Sequence, residues 1–136
     1  MLNDLYSFFK RILDAFSSLF VLVLLLPLLM LIAVIIKITS SGSVFFRQIR
    51  VGYNGRHFVL VKFRSMVEDA PLKGLSVTGK DDLRITPFGN FLRRTKLDEF
   101  PELWNVLIGD MSLVGPRPEV PRYTKHYKPE WERALS

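Results

Sequence analysis

The sequence contains no cysteine. Disulfide staples, a thiolate nucleophile and thiolate-ligated metal sites are thereby excluded. Two histidines, His57 and His126, are too few for a histidine-rich metal centre. There is no P-loop, no G-x-G-x-x-G dinucleotide fingerprint, no G-x-S-x-G nucleophile elbow and no H-E-x-x-H pair. Any chemistry must rest on carboxylates, arginines and lysines, with or without a metal ion. Acidic residues are scarce at first: residues 1–65 hold eight Lys/Arg against two Asp, whereas 66–136 hold eleven of each sign. The whole +6 excess lies in the first half of a chain whose 136 residues suit one small domain, or a domain with an anchor.

What the first half has in plenty is apolar length. Residues 15–36, AFSSLFVLVLLLPLLMLIAVII, are 22 positions without a charge. About 20 apolar residues suffice to cross a bilayer. The run is too long for a signal-peptide core, and no A-x-A pattern follows it. Pro27 sits near its middle, where loss of a backbone donor and a clash with the preceding turn predict a kink. Each half is then about one leaflet long. Lys10 and Arg11 precede the run; Lys37, Arg47, Arg50, Arg56, Lys62 and Arg64 follow it. Both flanks therefore prefer the cytoplasm. A helix that enters, bends at Pro27 and leaves on the same side satisfies both observations. A single span with a tolerated proline is the alternative. A soluble core helix fits poorly, because the segment is hydrophobic all round.

Segments 44–51 and 56–63 are rich in β-branched and aromatic residues and flank Asn54-Gly55, which predicts a hairpin. Its arginines and lysines suit either a solvated face near anionic lipid or a phosphate-binding surface. Residues 67–84 are polar and read as a loop. Two short helices follow. Thr86-Pro87 has the form of an N-cap and first-turn proline. Thr95 with Asp98 three later resembles a capping box. Leu97, Phe100, Trp104 and Leu107 fall on one helical stripe, suited to core packing or to a lipid interface. In GDMSLVGPRPEVPRY, Gly115, Pro116, Pro118 and Pro121 stiffen a loop around Arg117. A stiff loop presenting one arginine suits an oriented anion, and a plain connector with a solvated arginine equally. Asp98 and Glu99, preceded by Arg93 and Arg94, read alone either as a solvated acidic pair or as reacting groups.

Together KRILDAFSS, the apolar run with its central proline, SSGSVFFRQIRVGYNGRHFVLVKFRSM and RITPFGNFLRRTKLDEFPELWNVLIGDMSLVGPRPE resemble the monotopic phosphoglycosyl transferases, the bacterial sugar transferases. The segments occur in that family's order and cover nearly the whole chain. The resemblance implies an α+β fold: a proline-broken re-entrant membrane helix within 1–40, then a catalytic domain, 41–136, of a hairpin and short amphipathic interfacial helices. It implies transfer of a sugar-1-phosphate from a UDP-sugar to undecaprenyl phosphate, through a covalent aspartyl phospho-sugar, with release of UMP. Asp98 matches the family's nucleophile and Glu99 its Mg²⁺-binding carboxylate. Arg93, Arg117, Lys62 and Arg64 match substrate-binding positions, and Pro27 the helix break. The implied location is the cytoplasmic face of the bacterial inner membrane, with lipids and a second copy of the chain as partners and no nucleic acid. Two features depart from the family: Leu26 stands where serine often precedes the proline, and a further C-terminal part is expected beyond PEWERALS. The competing reading is a non-catalytic membrane adaptor whose basic hairpin binds anionic lipid or a partner transferase. The sugar and its pathway are not encoded in these motifs.

Overall fold

The computed structural model describes residues 2–52, 55–68, 79 and 82–124. It is α+β, with helix α1 (Leu2–Thr39), strands β1 (Phe45–Val51) and β2 (His57–Phe63), helix α2 (Pro87–Thr95), a 3₁₀ turn (Leu97–Glu99), and helices α3 (Glu102–Ile108) and α4 (Pro121–Thr124). The two strands form one sheet. They start one residue later than the composition and turn signal predict and end where these do. Asn54 and most of the expected loop 67–84 lie outside the described residues, as does His126.

Helix α1 has 38 residues, about 57 Å at 1.5 Å per residue. It is long and apolar enough to cross a membrane by length and composition. The helix continues through Pro27; a kink bends a helix without ending it. Most of its large side chains, among them Phe16, Phe20, Val23, Leu24, Leu31 and Val34, are exposed.

The chain divides into two compact units, each taking part of α1. One comprises Met1–Leu24, Arg47–Val61 and Glu102–Ser136. Val51, Phe58, Leu60 and Val106 form its apolar interior. At its centre is a polar residue, Asn105, only 1% exposed. Its Oδ1 accepts from the Val61 N–H at 3.1 Å, and its Nδ2 donates to Val59 O at 2.7 Å and Asp110 Oδ2 at 3.1 Å. The amide thus satisfies two strand groups that water cannot reach. Asn105→Leu keeps the approximate volume and strands both groups. The expected cost is about 2–4 kcal/mol, each unmet group being worth roughly 1–3. Chemical unfolding in detergent measures it, and a shift below about 1 kcal/mol would contradict this account.

The other unit comprises Leu25–Phe46 and Lys62–Pro101. Ile32 and Ile36, one turn apart on α1, pack with Phe63 and Leu92, and Leu29, Ala33, Val44, Phe88 and Leu97 complete the cluster. The Phe45 ring stacks on Phe63 with centroids 5.5 Å apart. Helix α2 begins as its sequence predicts: the Thr86 hydroxyl accepts from the Gly89 N–H at 2.9 Å, and Pro87 follows. Thr86 N–H in turn donates to Ser65 O at 3.0 Å. Gly89 lies so close to this strand exit that a Cβ there would be 2.0 Å from Ser65 O.

Two expectations are corrected. Thr95 is not the first residue of a capping box. It ends α2, and its hydroxyl donates to Phe91 O and Leu92 O at 2.9 and 3.2 Å. Lys96, with φ +61°, caps that helix through its backbone and carries no side-chain cap into the 3₁₀ turn. The Asp98 carboxylate is therefore not a capping group. Nor do Leu97, Phe100, Trp104 and Leu107 share one buried stripe. Pro101 separates the 3₁₀ turn from α3, and α3 buries Asn105 and Val106 while Trp104 stays exposed.

Candidate active site

Asp98 sits in the middle of the 3₁₀ turn, just after the left-handed Lys96. The turn is anchored from both sides by Leu92, fully buried on α2, and by Leu97 against the same core. Asp98 is itself buried, at 8% exposure, and its Oδ1 has no hydrogen-bond partner. Most buried carboxylates accept two or more bonds. Burial raises the Asp98 pKa above its ordinary value, and the Glu99 charge adds to this. The Lys62 ammonium and, less strongly, the Arg93 guanidinium oppose the shift.

Glu99 Oε1 accepts from Lys62 Nζ at 3.4 Å, and Lys96 Nζ lies 4.0 Å from the same oxygen. Four expected site residues are thus brought together: Asp98, Glu99, Lys62 and Arg93. Arg93 and Arg94, neighbours in sequence, serve different faces of α2. Arg94 lines an open depression with Pro87, Asn90, Phe91 and Thr95.

Arg64 is placed differently from Lys62. Its guanidinium is buried, Nη2 donates to Ser40 O at 3.0 Å, and its main-chain N–H donates to Val44 O at 2.9 Å. A cation on the carbonyls after α1 is favourable at a helix C-terminus. Arg117 belongs to the other unit. There the Pro118 segment is tied to the end of β1: Val51 N–H donates to Glu119 O at 2.8 Å, Glu119 N–H returns to Val51 O at 3.2 Å, and Arg50 Nη1 reaches Pro118 O at 3.3 Å. Burial lowers the Arg50 pKa, and the nearby Arg117 charge lowers it further. Sequence reasoning had counted Arg50 only as general basic character. A lone arginine in a strand gives no signal of the loop it will hold.

A family model described as bacterial sugar transferase matches residues 5–136. The chain belongs to the bacterial sugar transferase family. Among curated relatives, it is 44% identical over 128 residues to a UDP-glucose:undecaprenyl-phosphate glucose-1-phosphate transferase of Klebsiella pneumoniae, covering 93% of this chain and 27% of that one. A protein of the same name from Xanthomonas campestris is 48% identical over 120 residues, 88% of this chain and 25% of the relative. A putative undecaprenyl-phosphate N-acetylgalactosaminyl 1-phosphate transferase of Bacillus subtilis is 42% identical over 125 residues, 92% and 70% respectively. This family member therefore spans about a quarter of the first two relatives and over two thirds of the third.

The donors fit the Mg²⁺ that the family resemblance implies. Among the described residues no group of three or more His, Cys, Asp or Glu converges. Mg²⁺ does not need one, since it commonly takes one or two carboxylates with substrate phosphates and keeps several waters. Glu99 beside the bare Oδ1 of Asp98 supplies that minimum.

Proposed function

We propose that this chain carries the phospho-transfer centre of a UDP-sugar:undecaprenyl-phosphate sugar-1-phosphate transferase. The observation that supports it most is the buried, unpartnered Asp98 oxygen beside Glu99, Lys62 and Arg93. The Asp98 carboxylate attacks the β-phosphorus of the donor. A P–O bond to Asp98 forms, the P–O bond to UMP breaks, and its electron pair leaves on UMP. The acyl-phosphate so made stays reactive, which is what a two-step transfer needs. An oxygen of undecaprenyl phosphate then attacks the same phosphorus and the carboxylate leaves. The product is the undecaprenyl-diphosphate sugar.

The obstacle is charge. Two like charges near 4 Å repel by roughly 4 kcal/mol at an effective dielectric of 20. Lys62, 3.4 Å from Glu99, and the Arg93 charge that Asp98 feels offset part of this for the incoming diphosphate. Glu99 would hold Mg²⁺, which when bound neutralises diphosphate charge. Lys62→Met is expected to slow adduct formation by on the order of 10²-fold, as for loss of one electrostatic stabiliser. Single-turnover labelling measures it, and an unchanged rate removes Lys62 from the site.

We read α1 as re-entrant, on the cytoplasmic face of the inner membrane. In the first unit Lys10, Arg11 and Asp14 hold on to α3 and the chain after it. In the second, Ile32 and Ile36 pack on α2 and the end of β2. Both parts of α1 thus lie against elements with polar backbone and charges, which hydrocarbon does not tolerate. Exposed Trp104 suits the interface level, where the acceptor's phosphate lies.

The deciding experiment is mass spectrometry of protein incubated with Mg²⁺ and UDP-glucose or UDP-N-acetylgalactosamine. A sugar-phosphate mass on Asp98 supports the reading. Intact lipid binding with no adduct for any UDP-sugar favours a membrane adaptor instead.

A further inference from the structure

Lys10, Arg11 and Asp14 enter the sequence as charge flanking an apolar run, and the proposed reaction uses none of them. In the structure all three are turned into their own unit. Arg11 donates to Val106 O and, at 2.5 Å, to Leu107 O, the last-turn carbonyls of α3. Gly109, φ +101°, lies against this guanidinium, where a Cβ would be 3.1 Å from Nη2. Asp14 is 8% exposed; its Oδ2 accepts from the Ser112 hydroxyl at 2.7 Å and lies 3.5 Å from Lys10 Nζ. Lys10 also donates to Ser112 Oγ and, at 3.0 Å, to Val114 O. A carboxylate is not buried without compensation. Here the compensation comes from Lys10, one turn away, and from a loop 98 positions on.

That loop continues directly into Gly115, Pro116 and Arg117. Its far end is fixed by the Val51–Glu119 pairing and by Arg50 on Pro118 O. Pro116 and Pro118 stiffen what lies between. The segment therefore has two anchors, one on β1 and one on α1. With both in place Arg117 meets an anion at little further cost in ordering. With the α1 anchor released, the segment that carries Arg117 loses its tie to the helix.

We propose that Asp14 is a positioning residue: with Lys10 it latches Ser112 and Val114 and thereby aims Arg117 at a substrate phosphate. This rests on reading Arg117 as phosphate-binding. It ties recognition of a water-soluble or lipid phosphate to correct seating of the apolar helix, because the latch is on that helix.

The test uses the full chain in detergent. Titration calorimetry with UDP, and separately with a short polyprenyl phosphate, is run on wild type, Asp14→Asn, Ser112→Ala, Arg117→Ala and the Asp14→Asn/Arg117→Ala pair. Asp14→Asn and Ser112→Ala are each expected to weaken one of the two ligands by roughly tenfold, the worth of one charge-assisted bond. The ligand affected identifies the phosphate that Arg117 meets. In the Arg117→Ala background, Asp14→Asn should add nothing. Ser112→Ala breaks the same bond from the loop side, so agreement between it and Asp14→Asn excludes simple misfolding. Losses that multiply in the pair, wild-type affinity in Ser112→Ala, or wild-type affinity in Arg117→Ala for both ligands would each overturn the latch. None of these outcomes bears on adduct formation at Asp98, so the reaction and the latch fail separately.

Discussion

Asp98→Asn is expected to abolish the proposed transfer and to gain stability. Replacing the carboxylate leaves an amide that cannot form the acyl-phosphate, so no sugar-phosphate mass is retained on the protein. Turnover is expected to fall on the order of 10⁴-fold or more, the scale seen when a nucleophile is removed from an assembled site. The stability effect follows from the same geometry. A charged oxygen with no donor is buried in the 3₁₀ turn, and burial is the main cause of its raised pKa. Burial therefore makes the ionised form of that group costly to the fold. Asparagine has nearly the same shape and no charge. It is expected to stabilise the chain by about 1 kcal/mol, read as a rise of a few degrees in thermal midpoint. Retained adduct, or a variant both inactive and clearly less stable, argues against Asp98 as a buried nucleophile. Loss of activity with gain of stability is the pattern of a residue strained for its task.

Gly89→Ala breaks the second unit without touching any charged group. The added Cβ would stand 2.0 Å from Ser65 O, 2.6 Å from its carbonyl carbon and 2.7 Å from its Cα. These are backbone atoms and cannot rotate away. Ordinary carbon–oxygen contacts are about 3.3 Å or longer. Helix α2 must therefore back off by more than 1 Å. That loosens the Thr86–Ser65 bond and draws Leu92 from its fully buried place. The cost is expected to reach about 3 kcal/mol, at the upper end for overpacking. The 3₁₀ turn follows α2 directly, so adduct formation should fall with stability. Gly115→Ala is the control. Its nearest neighbour would be Ser112 Cβ at 3.9 Å, and its unfolding midpoint should stay within about 0.5 kcal/mol of wild type.

The sequence revealed whatever is written locally. Runs rich in β-branched and aromatic residues either side of Asn-Gly placed both strands to within a residue, because composition and the turn signal agree. Thr86-Pro87 located the start of α2 for the same reason. The left-handed Lys96 was not legible, since no local pattern singles out a lysine for positive φ. That one residue turned a supposed helix start into a helix end and changed what Thr95 bonds. The need for Gly89 has no local sign either. Its cause, the carbonyl of Ser65, is 24 positions back. Of the expected site, Asp98, Glu99, Lys62 and Arg93 meet. Arg64, two residues from Lys62, turns to the end of α1 instead. Lys10 and Arg11 were counted as topology-setting charge, and their bonds to α3 and its following loop lie beyond any window of periodicity. Family resemblance supplied the role of Asp98; the geometry added that its oxygen is bare.

The span between Arg11 and its acceptors sets an order of events at birth. Val106 and Leu107 lie 95 and 96 positions downstream of it. A ribosome adding about 5–20 residues per second needs roughly 5 to 20 s to produce them. During that interval the Arg11 end of the helix lacks its α3 partner, while Ile32 and Ile36 already have Val44 and Phe63 within reach. On the proposed reading of α1 as a membrane helix, lipid is the first partner open to that end, and α3 condenses onto it later.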